Sequence, residues 1–144
     1  MIGTTVWAVS AAFALALTAA APKPYPRVRT EPWFDRYARE AKASLQKITP
    51  GAELDIWMTD DSFDKVLGFY KASGTERPEF AKALVLNLRN RSLRDVQATY
   101  VVFDGAASPV ASSHYVSIQR PVIVQFDPLE VHDVTQIMVY RMKK

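Results

Sequence analysis

A chain of 144 residues with 49% hydrophobic and 23% charged side chains is long enough for one domain with a core that needs no covalent staple. It has no cysteine, which excludes disulfides, thiolate metal sites, cysteine nucleophiles and lipid attachment through an N-terminal cysteine. A net charge of +3 suits acidic partners but is too small to point to nucleic acid, and no nucleic-acid partner is expected.

From Met1 to Ala21 no side chain is charged, and the run VWAVSAAFALALTAAA ends in small residues. This is the pattern of a secretory signal peptide over residues 1–21. The cut is placed after Ala20, because a cut after Ala21 would set Pro22 at the scissile bond. The lysine or arginine usual near the start is missing. The competing reading is an uncleaved N-terminal membrane anchor, since a run of this length just reaches across a hydrocarbon core of about 30 Å. Its alanine content favours cleavage. Either way the rest of the chain is expected outside the cytoplasmic membrane, periplasmic or extracellular.

Residues 22–31 form a proline-rich leader, with Pro22, Pro24 and Pro26 and then Pro32 just beyond it. Proline fixes φ and removes a backbone donor, so an extended, polyproline-like segment outside the core is expected. A single α+β domain is expected over residues 32–144. It opens with EPWFDRYAREAKASLQKI, a helix whose Phe34, Tyr37, Ala38, Ala41, Leu45 and Ile48 make one apolar face. Asp35 with Arg39, and Arg36 with Glu40, are i,i+4 pairs on its wet side; Thr30 is the candidate cap and Pro50-Gly51 the stop. ELDIWMT then alternates Leu54, Ile56 and Met58 against Asp55, Trp57 and Thr59, a half-buried strand.

In TDDSFDKVLGFYK, Phe63, Val66, Leu67 and Tyr70 follow the i, i+3, i+4, i+7 spacing of an apolar helical stripe. Thr59 or Asp61 is the expected cap, Asp60, Asp61 and Asp64 suit the first turn, and Ser73-Gly74 ends the helix. RPEFAKALVLNLRN reads as a helix beginning near Pro78, although the alternation of Leu84, Leu86 and Leu88 offers a strand over residues 79–90. The remainder is β-rich. VQATYVVFDG is a strand closed by Asp104-Gly105, and AASPVASS is a loop. HYVSIQRPVIVQFD carries a proline that demands an edge, a bulge or two successive strands. VTQIMVYRM is apolar on both faces and therefore central. The expected fold is α+β: an antiparallel sheet of about four strands with two or three helices packed on one side.

Several constellations carry chemistry in principle. Ser62-Phe63-Asp64-Lys65 matches the S-x-x-K spacing of penicillin-recognising enzymes, but the companion S-D-N and K-T-G motifs are absent, and it reads as a chance match. A loop serine (Ser108, Ser112 or Ser113) with His114 and Asp104 supplies the types for a small hydrolase, the alternative function, but no G-x-S-x-G elbow frames the serines. Asp127, Glu130, His132 and Asp133 are metal-ligand types without the nitrogen count of zinc or the oxygen spacing of calcium. Basic residues gather at Lys23, Arg27, Arg29, Arg36 and Arg39 and again at Arg89, Arg91 and Arg94, patches able to meet anionic lipid or acidic glycan. Trp33, Trp57 and Tyr100 could line a groove or serve the core.

TDDSFDKVLGFYK, FDGAASPVASSHYVSIQRP and DVTQIMVY together resemble a group of small exported bacterial proteins of unassigned function. These share a D-S-F-x-K-V-x-x-F-Y-K helix, an F-D-G turn, an I-Q-R-P strand and a closing D-x-T-x-I strand. The resemblance covers the chain from about Ala52 onward, except residues 75–94, and implies an envelope-located, non-catalytic domain without catalytic residues to transfer. The sequence is thus read as an exported binding or structural module of the cell envelope, with no catalytic, cofactor or metal residue assigned. Its partner is an unknown envelope protein, anionic lipid or glycan.

Overall fold

The periodicities of the chain translate directly into elements. The computed structural model describes residues 22–91 and 93–142, so the signal-like segment and its alternative as an anchor lie outside the described residues. Within them run α1 (Pro32–Ile48), β1 (Ala52–Thr59), α2 (Phe63–Lys71) and β2 (Thr75–Glu76). A 3-10 turn (Pro78–Ala81) leads into α3 (Lys82–Asn90), followed by β3 (Gln97–Val102), β4 (His114–Arg120), β5 (Val122–Phe126), β6 (Leu129–His132) and β7 (Thr135–Met142). Among the described residues no helix is long and apolar enough to cross a membrane.

The α+β class holds. The main sheet has five strands in the order β1-β7-β4-β3-β2, all antiparallel, and β5 pairs with β6 in a separate ribbon. The proline expected to interrupt the long strand does so: β4 ends at Arg120, Pro121 has no N–H to extend the ladder, and β5 starts at Val122. β7 is central, bonded to β1 on one side and β4 on the other. Residues 78–90 are helical, so the leucine alternation there was not a strand.

The helices do not share one side of the sheet. Cross-strand partners lie on the same face. Trp57 pairs with Ile137, Ile137 with Ile118, Val139 with Val116, and Val116 with Val101. That face meets Phe63, Val66 and Tyr70 of α2 in the larger core cluster. The opposite face of β1, bearing Ile56 and Met58, packs with Phe34, Trp33, Tyr37 and Ala38 of α1. The strict alternation of β1 is apolar on both faces once Trp57 counts as apolar, so β1 needs a helix on each side. The α1 stripe thins along its length: Phe34 is buried, whereas Ile48, expected in the core, is 77% exposed.

Capping also departs from expectation. Ser62 caps α2, its hydroxyl accepting the Lys65 N–H at 3.2 Å. Thr59 and Asp61 are engaged elsewhere. The Thr59 hydroxyl donates to the Arg27 carbonyl at 2.7 Å, and the Asp61 carboxylate accepts the Tyr25 hydroxyl at 2.5 Å. Thr30 does not cap α1 either: Glu31 occupies that position without a side-chain capping bond, and the Thr30 hydroxyl donates to the Asp35 carboxylate. Gly74 ends the α2 segment for a packing reason, since a Cβ there would stand 2.6 Å from Val101 and 2.9 Å from Phe103.

The leader is not wholly outside the core as expected: most of its residues are exposed, but Tyr25 docks into the core. Tyr25 is 5% exposed, lies edge-on to Phe69 at 5.2 Å, and belongs to the cluster of Phe63, Val66 and Tyr70. The Arg29 N–H donates to the Met58 carbonyl at 3.0 Å as an isolated antiparallel bridge. The Arg29 guanidinium grips both oxygens of Asp60, at 2.6 and 2.8 Å. A proline-stiffened segment gives up little entropy when it docks, which favours anchoring through Tyr25 and Arg29. Burial, and then the bond to Asp61, pushes the Tyr25 phenol up to about 12.

Truncations test this packing. Tyr25→Ala, Phe63→Ala and Tyr70→Ala are each expected to lower unfolding free energy by about 3–5 kcal/mol in urea melts, Ser62→Ala by about 1 kcal/mol, and Asp64→Asn by only about 0.3 kcal/mol. Tyr70→Phe should leave stability unchanged or raised, because the Tyr70 hydroxyl is buried without a hydrogen-bond partner among the described residues. A neutral Tyr25→Ala would return the leader to solvent.

Candidate functional site

The residue types of a hydrolase come together at the β3–β4 loop, but in a different arrangement. Asp104 Oδ1 accepts the Ser112 hydroxyl at 2.7 Å, and Oδ2 accepts the Ser113 N–H at 2.7 Å and its hydroxyl at 3.1 Å. Ser112 reaches His114 through the backbone: its hydroxyl lies 2.8 Å from the His114 carbonyl and accepts the His114 N–H at 3.1 Å. Among the described residues no hydrogen bond joins the His114 imidazole to a serine hydroxyl. Both serine hydroxyls lie against the Asp104 carboxylate rather than an imidazole, and the cluster closes the β3–β4 loop. Burial pushes the Asp104 carboxyl up. The hydrogen bonds from Ser113, Ser112 and the Ala106 N–H together outweigh it and hold the group below its ordinary value.

The S-x-x-K pair is likewise structural. Ser62 is the α2 cap, and Lys65 Nζ lies 3.7 Å from the Asp61 carboxylate as a surface pair. The metal-ligand types are dispersed. Glu130 and His132 approach to 3.3 Å, and the His132 ring stacks on Trp33 at 3.6 Å. Asp133 instead pairs with Arg120 at 3.0 Å, and Asp127 lies in the β5–β6 turn. Among the described residues no group of three or more His, Asp or Glu side chains is placed to hold a metal ion.

Trp33, Trp57 and Tyr100 do not meet in one groove. Trp57 packs on the α2 side and Trp33 on the α1 side. Tyr100 joins Tyr115 and Tyr140 in a ladder across β3, β4 and β7, with ring centroids 5.8 and 4.5 Å apart. Tyr115 and Tyr140 stand nearly parallel, at 18°, and cover each other's faces. Of the basic residues, Arg29 is committed to Asp60 and Glu31, and Arg91 lies 4.1 Å over the Phe126 ring.

A concave site does form between α3 and β3. It is a groove of about 410 Å³ whose apolar lining is Phe63, Pro78, Ala81, Val85, Leu86, Val96 and Ala98. Ala81 and Val96 are each 1% exposed and form part of the floor, while Leu86 at the lip is 60% exposed. Polar groups in the lining are Glu76, Lys82, Arg89, Gln97 and Thr99. Glu76 is already engaged, accepting the Thr99 hydroxyl at 2.8 Å and lying 3.5 Å from Lys71 Nζ. A volume within the range of about 300–1,000 Å³, an apolar wall and a few convergent polar groups are the marks of a small-ligand site. The sequence holds the signal for it: Lys82, Val85, Leu86 and Arg89 follow i, i+3, i+4, i+7. The alternation of Leu84, Leu86 and Leu88 masked that spacing.

The depressed Asp104 carboxyl has a pH consequence. Its contribution to stability is fully present above the ordinary value of 3.8 and is lost as pH falls through the lower folded value. Asp104→Asn is therefore expected to melt below the wild type at pH 7, with the gap closing on acidification below pH 3.8. A gap independent of pH, read from thermal melts, would contradict the hydrogen-bonded carboxylate. Against known proteins, no family model, no curated protein and no solved structure matches this chain.

Proposed function

We propose that the chain is an exported module of the cell envelope that acts by binding, not by catalysis, and that its ligand occupies the groove between α3 and β3. The observation that carries the binding reading is the lining of that groove, apolar along its length with Lys82 and Arg89 among its polar members. Support for a non-catalytic role comes from the engagement of the reactive residue types. Asp104, Ser112 and Ser113 satisfy one another in a loop, and Ser62 caps a helix. Export rests on the uncharged, alanine-rich run ahead of residue 22.

The first expected outcome is that an uncharged polarity-sensitive dye binds the purified protein saturably. Leu86→Glu should weaken that binding by about tenfold or more, because the ligand would have to bury an unpaired charge. Leu86 is 60% exposed, so the same substitution should leave the thermal melt in place. Unsaturable dye uptake, or equal affinity in the variant, would remove the groove from the proposal. Mass spectrometry of the protein recovered from the cell envelope should show a chain beginning at Ala21. A chain that begins at Met1 in the soluble cytoplasmic fraction would overturn export.

A further inference from the structure

We propose that the groove between α3 and β3 takes a single-chain amphiphile with an anionic head, its tail along the apolar lining and its head on Arg89; this rests on the groove being the binding site. Three observations lead to that ligand class. The first is the shape of the charge. Lys82, Val85, Leu86 and Arg89 line the groove from one face of α3, so the two cations bracket an apolar stretch roughly 10 Å long at the helical rise per residue.

The second is that these cations are available. Among the described residues neither Lys82 nor Arg89 enters an ion pair. Glu76, the only acid among the described residues of the lining, is held by the Thr99 hydroxyl and lies 3.5 Å from Lys71 Nζ. An apolar groove with uncommitted positive charge complements a ligand that is apolar along its body and negative at an end.

The third observation gives the ligand its direction. Glu76 is taken up by Thr99 and Lys71, so the direction rests on the two cations: a lysine is a compact point charge, whereas a guanidinium fork takes a pair of oxygens. Arg89 and Gln97 both line the groove, and Asp95, two residues before Gln97, lines the adjoining concavity with Gln97 and Arg120. A guanidinium fork and an amide donor suit a carboxylate or phosphate oxygen pair, and Phe63, Val85, Leu86, Val96 and Ala98 remain for the chain. The volume of about 410 Å³ accommodates one such chain, not a lipid bilayer surface or a folded partner.

The test uses the full-length gene product in the form cells process, and measures displacement of the uncharged dye by dodecanoate, dodecyl phosphate, dodecanol and dodecylammonium below their aggregation concentrations. The two anions are expected to bind about tenfold more tightly than the alcohol, and the cation more weakly than the alcohol. Arg89→Gln should abolish the preference for anions while sparing dodecanol, and Lys82→Gln should have the smaller effect. If all four chains bind alike, the anionic head is wrong and the apolar groove stands. A preference that survives Arg89→Gln and is lost in Lys82→Gln overturns the placement of the head. Binding to anionic vesicles without displacement of the dye by any monomeric chain overturns the ligand class. If neither dye nor chains bind, the groove itself is not the site.

Discussion

The guanidinium of Arg120 holds three separate parts of the chain together. Its Nη1 donates to the carbonyls of Asp60 and Asp61, at 3.3 and 3.0 Å, and to the Thr135 hydroxyl at 3.0 Å. Its Nη2 donates to the Asp133 carbonyl at 2.9 Å, and Nε to the Asp133 carboxylate at 3.0 Å. The carbonyls of Asp60 and Asp61 lie where β1 has ended and α2 has not begun, so neither a ladder nor a helix satisfies them. One planar fork with five N–H donors closes that gap between the end of β4, the start of β7 and the approach to α2. The aim of α2 onto the sheet, and with it the larger core, depends on this junction.

Asp61 extends the junction to the leader. Its carbonyl accepts the Thr135 hydroxyl at 2.7 Å while its carboxylate accepts Tyr25. The stretches around Asp61, Arg120 and Asp133 to Thr135 meet in the same region. Asp61 leads the D-S-F helix, Arg120 belongs to I-Q-R-P, and Asp133 and Thr135 open D-x-T-x-I. Phe103 of the F-D-G turn lies edge-on to Tyr70 at 6.1 Å. These residues have fold-building work in this chain.

The same logic separates the polar clusters from the groove. Around Asp104 and Arg120 each donor finds an acceptor within the protein, and such closed networks rigidify a fold. Along α3 the chain leaves apolar side chains and two cations lining a concavity, the surface on which the proposed binding rests. Rigidity at the junction and openness at the groove are complementary, because Phe63, the first residue of α2, is packed in the core and also lines the groove. The junction that orients α2 thereby sets one wall of the site.

Local periodicity made the elements legible. The stripes of α1 and α2, the alternation of β1, the interruption at Pro121 and the centrality of β7 all follow from residues within a few positions of one another. The α3 segment was legible as a helix starting near Pro78, but its groove-facing stripe was not, since the leucines at 84, 86 and 88 imposed a second period on it. Loop serines beside a histidine gave residue types without geometry. What only the tertiary structure decided is which surfaces meet: α1 and α2 on opposite faces of the sheet, Tyr25 in the core and Asp61 as its anchor rather than a cap. Tyr25 and Asp61 are 36 positions apart. The pairing arises because two sheet faces, each apolar, must both be covered, and because the docked Tyr25 brings its hydroxyl within reach of the Asp61 carboxylate. Those demands are set by the packed whole and by no single stretch of the sequence.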